Sequence, residues 1–533
     1  MSEQHDRDTI IAGNAILGIE LGSTRIKAVL INNENQPIAS GGFGWESCCQ
    51  DGNWTYDLDD VWSGIQQAYI DLQTSIRNKY STQLTKVAAI GISGMMHGYL
   101  AFDNESRLLA PFRTWRNNST SQASAALMEL FNYPVPQRWS ISHLYQAILN
   151  GETHVAELNF ITTLAGYVHW QLTGEKVLGV GDTSGMFPID VATGTYYNSM
   201  INQFDQLVAD KQYPWKTADI LPQPLKAGQS AGKLTPEGAL KIDPSGQLQV
   251  GCPLCPPEGD AGTGMVATNS VATRTGNISA GTSIFAMLVL EKTLSKVYPE
   301  LDLVTTPDGK LVAMAHSNNC TSNIDSWVSL FRESMVSMGF DVDTDELYST
   351  LYNQALLGDK DCGGLLSYGY LSGEHITGFE QGRPLFVCSA GSRFNLANFM
   401  RVHLQSSFGA MKIGIDMLVK EEQLKLEKVT AHGGLFKTEG VAQTLLAGTL
   451  NAPVAVMATA GEGGAWGIAL LASYMVNQDL GETLPDFLNE KVFAQDEESI
   501  VTPTEADVLG AEQFMQRYTN GLGIEKAAVE HLL

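Results

Sequence analysis

Two short turns carry the residue types that hold phosphate. Leu21-Gly22-Ser23-Thr24-Arg25 separates the apolar runs 16–20 and 26–31, and Gly281-Thr282-Ser283 separates 277–280 from a run beginning at Ile284. Glycine lets the backbone approach a ligand closely; consecutive N–H groups of such a turn make an anion nest, and the hydroxyls add donors. Facing each other, two such turns would grip the β- and γ-phosphates of a nucleotide from opposite sides. Neither is a GxxxxGK[ST] loop, and no GxGxxG follows a strand, so a dinucleotide-binding reading has no support. Other chemistry-bearing residues are isolated. Asp260 stands where a loop gives way to a helix, and taken alone it reads as an N-cap. His97, in Ser93-Gly94-Met95-Met96-His97-Gly98, reads alone as a surface histidine. Cys252-Pro253-Leu254-Cys255 is a lone CxxC without a second pair or a nearby His, hence a Pro-rich loop that happens to hold two thiols and not a zinc or redox site.

The elements that must position these residues follow from periodicity. Each turn with its flanking runs predicts a hairpin, and a Gly-hydroxyl hairpin near the start of each half is a weak internal repeat, pointing to two related domains. Residues 58–78 predict an amphipathic helix with Val61, Ile65, Ala68, Leu72 and Ile76 on one face and Asp57 or Asp59 as its cap. Residues 87–92 are wholly apolar and predict a buried strand; the loop at 93–98 then lies at a strand's C-terminal end, where open α/β sheets bind ligands. Residues 223–259 are rich in Pro, Gly and Lys and predict irregular chain, after which 260–266 begins a helix of small residues. A helix over 404–427, a short strand before His432, a helix over 468–476 and a last helix over 505–518 complete the chain.

Length and composition bound the function. A chain of 533 residues exceeds the ~250–300 at which one core stops growing, so two domains are expected. A net charge of −25 repels phosphate backbones and argues against nucleic acid, but not against one nucleotide held by a local nest and a cation. No apolar run reaches the ~18–20 residues that span a bilayer, and the polar start lacks a signal peptide's pattern. Seven scattered cysteines are a poor disulfide framework; the expected location is cytoplasmic.

The ordered set of motifs resembles the FGGY carbohydrate kinases, within them the xylulokinase/ribulokinase-like branch. Gly18-Ile19-Glu20-Leu21-Gly22-Ser23-Thr24-Arg25-Ile26-Lys27-Ala28-Val29 is similar to the family's first phosphate motif and Gly281-Thr282-Ser283 to its second. Gly259-Asp260 resembles the segment with the catalytic aspartate, and 91–98 the substrate loop. Leu371-Ser372-Gly373-Glu374 and Gly433-Gly434 resemble further landmarks. The resemblance implies an α/β fold of two ribonuclease-H-like (actin/hexokinase-type ATPase) domains with a catalytic cleft between them. It places a sugar-binding domain at 1–266, an ATP-binding domain at 267–480 and an acidic helical extension at 481–533.

The same resemblance assigns roles. Asp260 is the general base, and Glu20 with Asp260 places Mg²⁺. Met96, His97, Trp115, Arg116, Asn117 and Asp260 meet the sugar, with His97 hydrogen bonding to a hydroxyl or carbonyl. Gly22, Ser23, Thr24, Lys27, Gly281, Thr282, Ser283, Gly433, Gly434, Leu435 and Gly461 meet ATP. Four positions depart from the family: Glu20 and Asn117 replace Asp, His143 stands where many members have Lys, and Arg25 replaces a small residue, adding a phosphate contact or pointing outward. The implied activity is transfer of the ATP γ-phosphoryl group to a pentulose, L-ribulose or D-xylulose. A hexulose or polyol is the alternative acceptor. A non-catalytic sugar or nucleotide sensor, and an actin- or chaperone-type ATPase, are the competing classes. No membrane partner is implied, and the reading admits a homodimer.

Overall fold

The computed structural model describes residues 3–50, 52–457, 463–495 and 498–532. The chain divides into two units. The first comprises Met1–Val271, Leu303–Val312 and Glu462–Gln495; the second comprises Ala272–Asp302, Ala313–Gly461 and Asp496–Leu533.

The first unit is built on a sheet of β1 (Ile16–Leu21), β2 (Arg25–Ile31), β3 (Pro37–Gly44), β4 (Ala89–Gly94) and β5 (Glu258–Gly259), in the order β5-β4-β1-β2-β3. The β1–β2 and β2–β3 pairs are antiparallel, whereas β4 lies parallel to both β1 and β5. Every residue of β1 except Glu20 is buried, because helices cover the sheet. The Leu58–Tyr80 helix buries Val61, Ile65, Ala68, Leu72 and Ile76, the face its spacing predicts, and Asp57 caps it by accepting the Asp59 N–H at 2.8 Å. The Gly463–Asn477 helix meets β1 at Gly18, where a Cβ would stand 2.1 Å from the Ala465 carbonyl oxygen; only glycine permits that approach. A second core in this unit, with Trp139, Phe187 and Phe204 at its centre, holds the helices Ser121–Phe131, Ser140–Leu149 and Asn198–Leu207.

Two local expectations shift. The strand predicted at 87–92 is Ala89–Gly94, since parallel pairing on both sides draws Ser93 and Gly94 into the ladder; the loop begins at Met95. The stretch 223–259 is irregular apart from a short strand, Gln223–Leu225, the helix Pro236–Ile242 and β5 itself.

The second unit repeats the plan. Its strands β6 (Thr275–Ala280), β7 (Ile284–Val289), β8 (Leu311–Ser317), β9 (Lys428–His432), β10 (Val454–Met457) and β11 (Glu498–Val501) run in the order β8-β7-β6-β9-β10-β11. The β6–β7 pair is antiparallel, β6–β9 and β9–β10 are parallel, and β11 adds an antiparallel edge. Strands β6 to β10 thus stand in the order of β1 to β5, the ribonuclease-H-like arrangement. The repeated hairpin in the sequence is the trace of a repeated sheet. The helix predicted over 404–427 is instead Leu396–Ser406 followed by Gly409–Asp416 and a π-turn, Met417–Glu421. The break comes where Gly409 packs against the Tyr518 ring. The last predicted helix is Glu505–Asn520, opened by a capping box between Thr504 and Asp507. Its Phe514 and Tyr518 join Tyr368, Tyr370 and Val402 in the core, so this tail segment is structural.

Candidate active site

The chemistry collects at the C-terminal ends of the parallel strands, as it must in an open α/β sheet. Glu20 on β1 is in register with Ser93 on β4, and Ser93 is in register with Glu258 on β5. One row across three strands therefore carries two carboxylates and a hydroxyl. Asp260 follows at the first turn of the Asp260–Ala267 helix. Its Oδ1 accepts the Met96 backbone N–H at 3.0 Å, which ties the helix start to the 95–98 loop. The Ser93 and Thr263 hydroxyls lie 3.0 Å apart beneath it. Burial raises the Asp260 pKa, and the N–H groups of Met96 and Ala261 oppose the rise.

Glu20 lies directly across the β1–β2 ladder from Lys27. It accepts the Ala465 N–H at 3.2 Å, so the longer side chain reaches the start of the Gly463–Asn477 helix. Burial pushes its carboxyl up to about 7; the Asp260 carboxylate adds to the rise, and Lys27 with the N–H groups of Ala465 and Gly464 opposes it.

Met96 and His97 are both buried. His97 sits in the left-handed region, φ 71°. Its Nδ1 lies 3.2 Å from the Gly185 carbonyl. A carbonyl only accepts, so Nδ1 carries the proton and Nε2 keeps a lone pair. Burial holds the His97 pKa down at about 3, with Arg138 and His143 adding to the depression. His97 is therefore a neutral acceptor, suited to a hydroxyl; the expected alternative of donating to a carbonyl is removed by this tautomer. His143 is buried and neutral, pulled to about 3 by burial and Arg113, with its ring 6.4 Å from that of Tyr99.

The 115–117 segment behaves differently from expectation. The Trp115 indole donates to Ser23 Oγ at 3.1 Å, within the first phosphate turn. Arg116 donates to Ser47 Oγ at 2.8 Å and stacks 3.8 Å over the Trp54 ring. Asn117 donates to the carbonyls of Trp54 and Thr114 and accepts the Trp54 N–H. A sugar contact through the Asn117 donors is not available; its amide shapes the loop.

In the second unit the Gly281–Ser283 turn joins β6 to β7, and its Gly281 and Thr282 carbonyls accept the N–H groups of Thr321 and Cys320 at 3.1 and 3.0 Å. Gly433 and Gly434 follow β9, whose His432 is in register with Ser279 on β6, so both glycine segments lie at one end of that sheet. Gly433 and Gly434 are exposed, whereas the Leu435 side chain is fully buried in the core, leaving only its backbone for a ligand. Gly461 lies outside the described residues.

Sequence reasoning missed two buried carboxylates of the first unit. Glu258 accepts the N–H groups of Gly181 and Asp182 at 3.1 and 2.8 Å, and Asp182 accepts the Thr163 hydroxyl at 2.6 Å. Burial pushes Asp182 up to about 7, with Asp260 adding to the rise, and Glu258 up to about 8, with Asp182 adding. The fold shows why glycine stands at 179 and 181, where a Cβ would fall 2.2 and 2.5 Å from the Glu258 carboxylate, but two glycines alone do not point to that partner. Among the described residues no three His, Cys, Asp or Glu side chains converge to enclose a metal ion. Burial pushes the Cys252 thiol up to about 11 and Cys255 higher still, so both are held as unreactive thiols. No helix among the described residues is long and apolar enough to cross a membrane.

Comparison with known proteins agrees with this fold. Residues 15–250 match the N-terminal domain of the FGGY family of carbohydrate kinases, and 276–476 match the C-terminal domain of that family. A xylulose kinase from Haemophilus influenzae is 22% identical over 518 residues, covering 95% of this chain and 99% of the relative. The solved structure of a ligand-bound xylulose kinase from Lactobacillus acidophilus superposes with a TM-score of 0.78 at 16% identity, covering 97% of this chain and 99% of that one. A gluconate kinase from the same organism reaches 0.77 at 16% identity, covering 97% and 98%. The fold is shared across enzymes named for different acceptors.

Proposed function

We propose that this chain, which belongs to the FGGY family of carbohydrate kinases, transfers the γ-phosphoryl group of ATP to the terminal hydroxyl of a pentulose, D-xylulose or L-ribulose. The observation that carries the reading is Asp260, fixed at a helix start by the N–H of Met96, the residue that precedes the neutral His97 in the same loop. With Oδ1 anchored, Oδ2 receives the proton of the attacking hydroxyl as the O–P bond forms. His97 Nε2 accepts from a second hydroxyl and so fixes which one is presented. The transition state of phosphoryl transfer is loose, so alignment and charge stabilisation supply most of the acceleration. The turns at Gly22–Thr24 and Gly281–Ser283, with Gly433 and Gly434, are assigned to the ATP phosphates.

Magnesium fits the residues present. Glu20 and Asp260 repel each other, and a cation held by both would relieve that repulsion. Mg²⁺ takes one or two carboxylates and keeps its waters, which suits a pair and not a cage. When bound it neutralises charge on the phosphates.

The test is ADP release with D-xylulose, L-ribulose, glycerol and gluconate in turn. The reading predicts turnover with a pentulose well above the others. Equal hydrolysis with no sugar at all would assign the chain to the ATPases, and preference for gluconate would overturn the acceptor class.

A further inference from the structure

Three consecutive carbonyls of the first phosphate turn are tied down from one side. Gly22 O accepts the Trp45 indole N–H at 2.7 Å, Ser23 O accepts the Tyr56 hydroxyl at 2.6 Å, and Thr24 O accepts the Trp45 backbone N–H at 3.2 Å. The Trp45 and Tyr56 rings pack together, centroids 4.3 Å apart, and both are buried. A carbonyl oxygen repels a phosphate, so holding all three toward the aromatic pair leaves the N–H groups and hydroxyls of Ser23 and Thr24 for the anion, the Gly22 N–H being donated to Arg25 O at 3.0 Å. The Trp115 indole, 39% exposed, then donates to Ser23 Oγ. A serine hydroxyl that accepts one hydrogen bond must direct its own proton elsewhere, here to an incoming acceptor.

The matching turn of the second unit is held differently. Its carbonyls are fixed by main-chain N–H groups of Cys320 and Thr321, which no side-chain substitution removes. The first turn is braced by side chains, so its geometry is open to mutation.

We infer that Trp45, Tyr56 and Trp115 form an aromatic brace that orients the Gly22–Thr24 turn for phosphate, making Trp115 a positioning residue for ATP. The inference rests on the kinase reading only in taking the anion to be a nucleotide phosphate. Trp115 stands two residues from Asn117, whose amide locks Trp54, and Trp54 is stacked under Arg116. The 115–117 segment is therefore a rigid strut from the Asn53–Thr55 strand to the phosphate turn.

The decisive variant is Trp115→Phe, which keeps the ring and removes the N–H, measured beside Ser23→Ala and the double variant. Two readouts are taken: steady-state kinetics with the preferred ketose, and calorimetric binding of the non-hydrolysable analogue AMP-PNP with Mg²⁺. The brace predicts that Trp115→Phe raises KM for ATP and weakens analogue binding about 5- to 10-fold, the size of one lost hydrogen bond. KM for the sugar should change less than twofold, and the double variant should be no worse than Ser23→Ala alone. A raised sugar KM with unchanged ATP KM would return Trp115 to the sugar pocket and overturn the inference, as would additive effects in the double variant or unaltered analogue binding. If the wild-type chain phosphorylates no sugar, the kinase reading fails, and the binding measurement still decides the brace.

Discussion

His97 offers a ligand a single lone pair. Its Nδ1 proton is committed to Gly185 O, and burial keeps the ring neutral far below the working pH. Replacing it by Phe preserves bulk and removes the acceptor. The kcat/KM for the ketose should fall roughly 10- to 100-fold, as expected for a buried hydrogen bond left unmade, while KM for ATP stays put. Because His97 titrates near 3, the shape of the profile between pH 5 and 8 should be the same in both proteins. At this scale the residues read alone misled: Asp260 is the first residue of a helix whose N-cap is Gly259, and His97 is buried and not at the surface, so only the family resemblance singled out either. Asp182 and Glu258 were not legible, because their partnership joins segments far apart in sequence and leaves no local pattern. The same reason hid the engagement of Asn117 with Trp54.

The glycine-hydroxyl hairpins are the elements on which both sheets depend, and each sits beside a parallel strand end that must stay close. In the second unit that closeness is extreme at Gly433, φ 106°, where a Cβ would fall 2.2 Å from the Ala280 carbonyl oxygen. Neither the left-handed φ nor the contact tolerates a side chain, and the obstacle is backbone that cannot swing away. Gly433→Ala should therefore destabilise the protein by at least about 2 kcal/mol, read as a lower urea midpoint, whereas Gly434→Ala beside it, with nothing near its Cβ, should cost under about 1 kcal/mol. The hairpins and the Leu58–Tyr80 helix were legible because turn chemistry and a 3.6-residue apolar stripe are local signals. The order of the strands was not in the local pattern; only the family resemblance supplied it. The helix read over 404–427 instead breaks after Ser406 and ends before Gln423, φ 60°, and no local signal marked either point.

For the molecule as a whole, the buried carboxylates couple folding to pH. Glu258 titrates at about 8 and Asp182 at about 7 in the fold, both well above an exposed carboxyl. Between the unfolded and folded pKa values the native state holds more protons than the unfolded chain. This stabilising term is full below about pH 4 and is lost as pH rises through about 8. Their contribution should make the melting temperature fall from pH 6 to pH 8.5, and Glu258→Gln, which cannot ionise, should flatten that slope. An unchanged slope would mean that Glu258 does not change its ionisation over this range. The kinase account itself turns on Asp260, and Asp260→Asn tests it most directly, since asparagine can still accept the Met96 N–H while losing its capacity as a base. With the preferred ketose, kcat should drop by about 10²–10⁴, with AMP-PNP affinity within threefold of the parent; turnover kept within tenfold of the parent would contradict the assignment of Asp260 as the base.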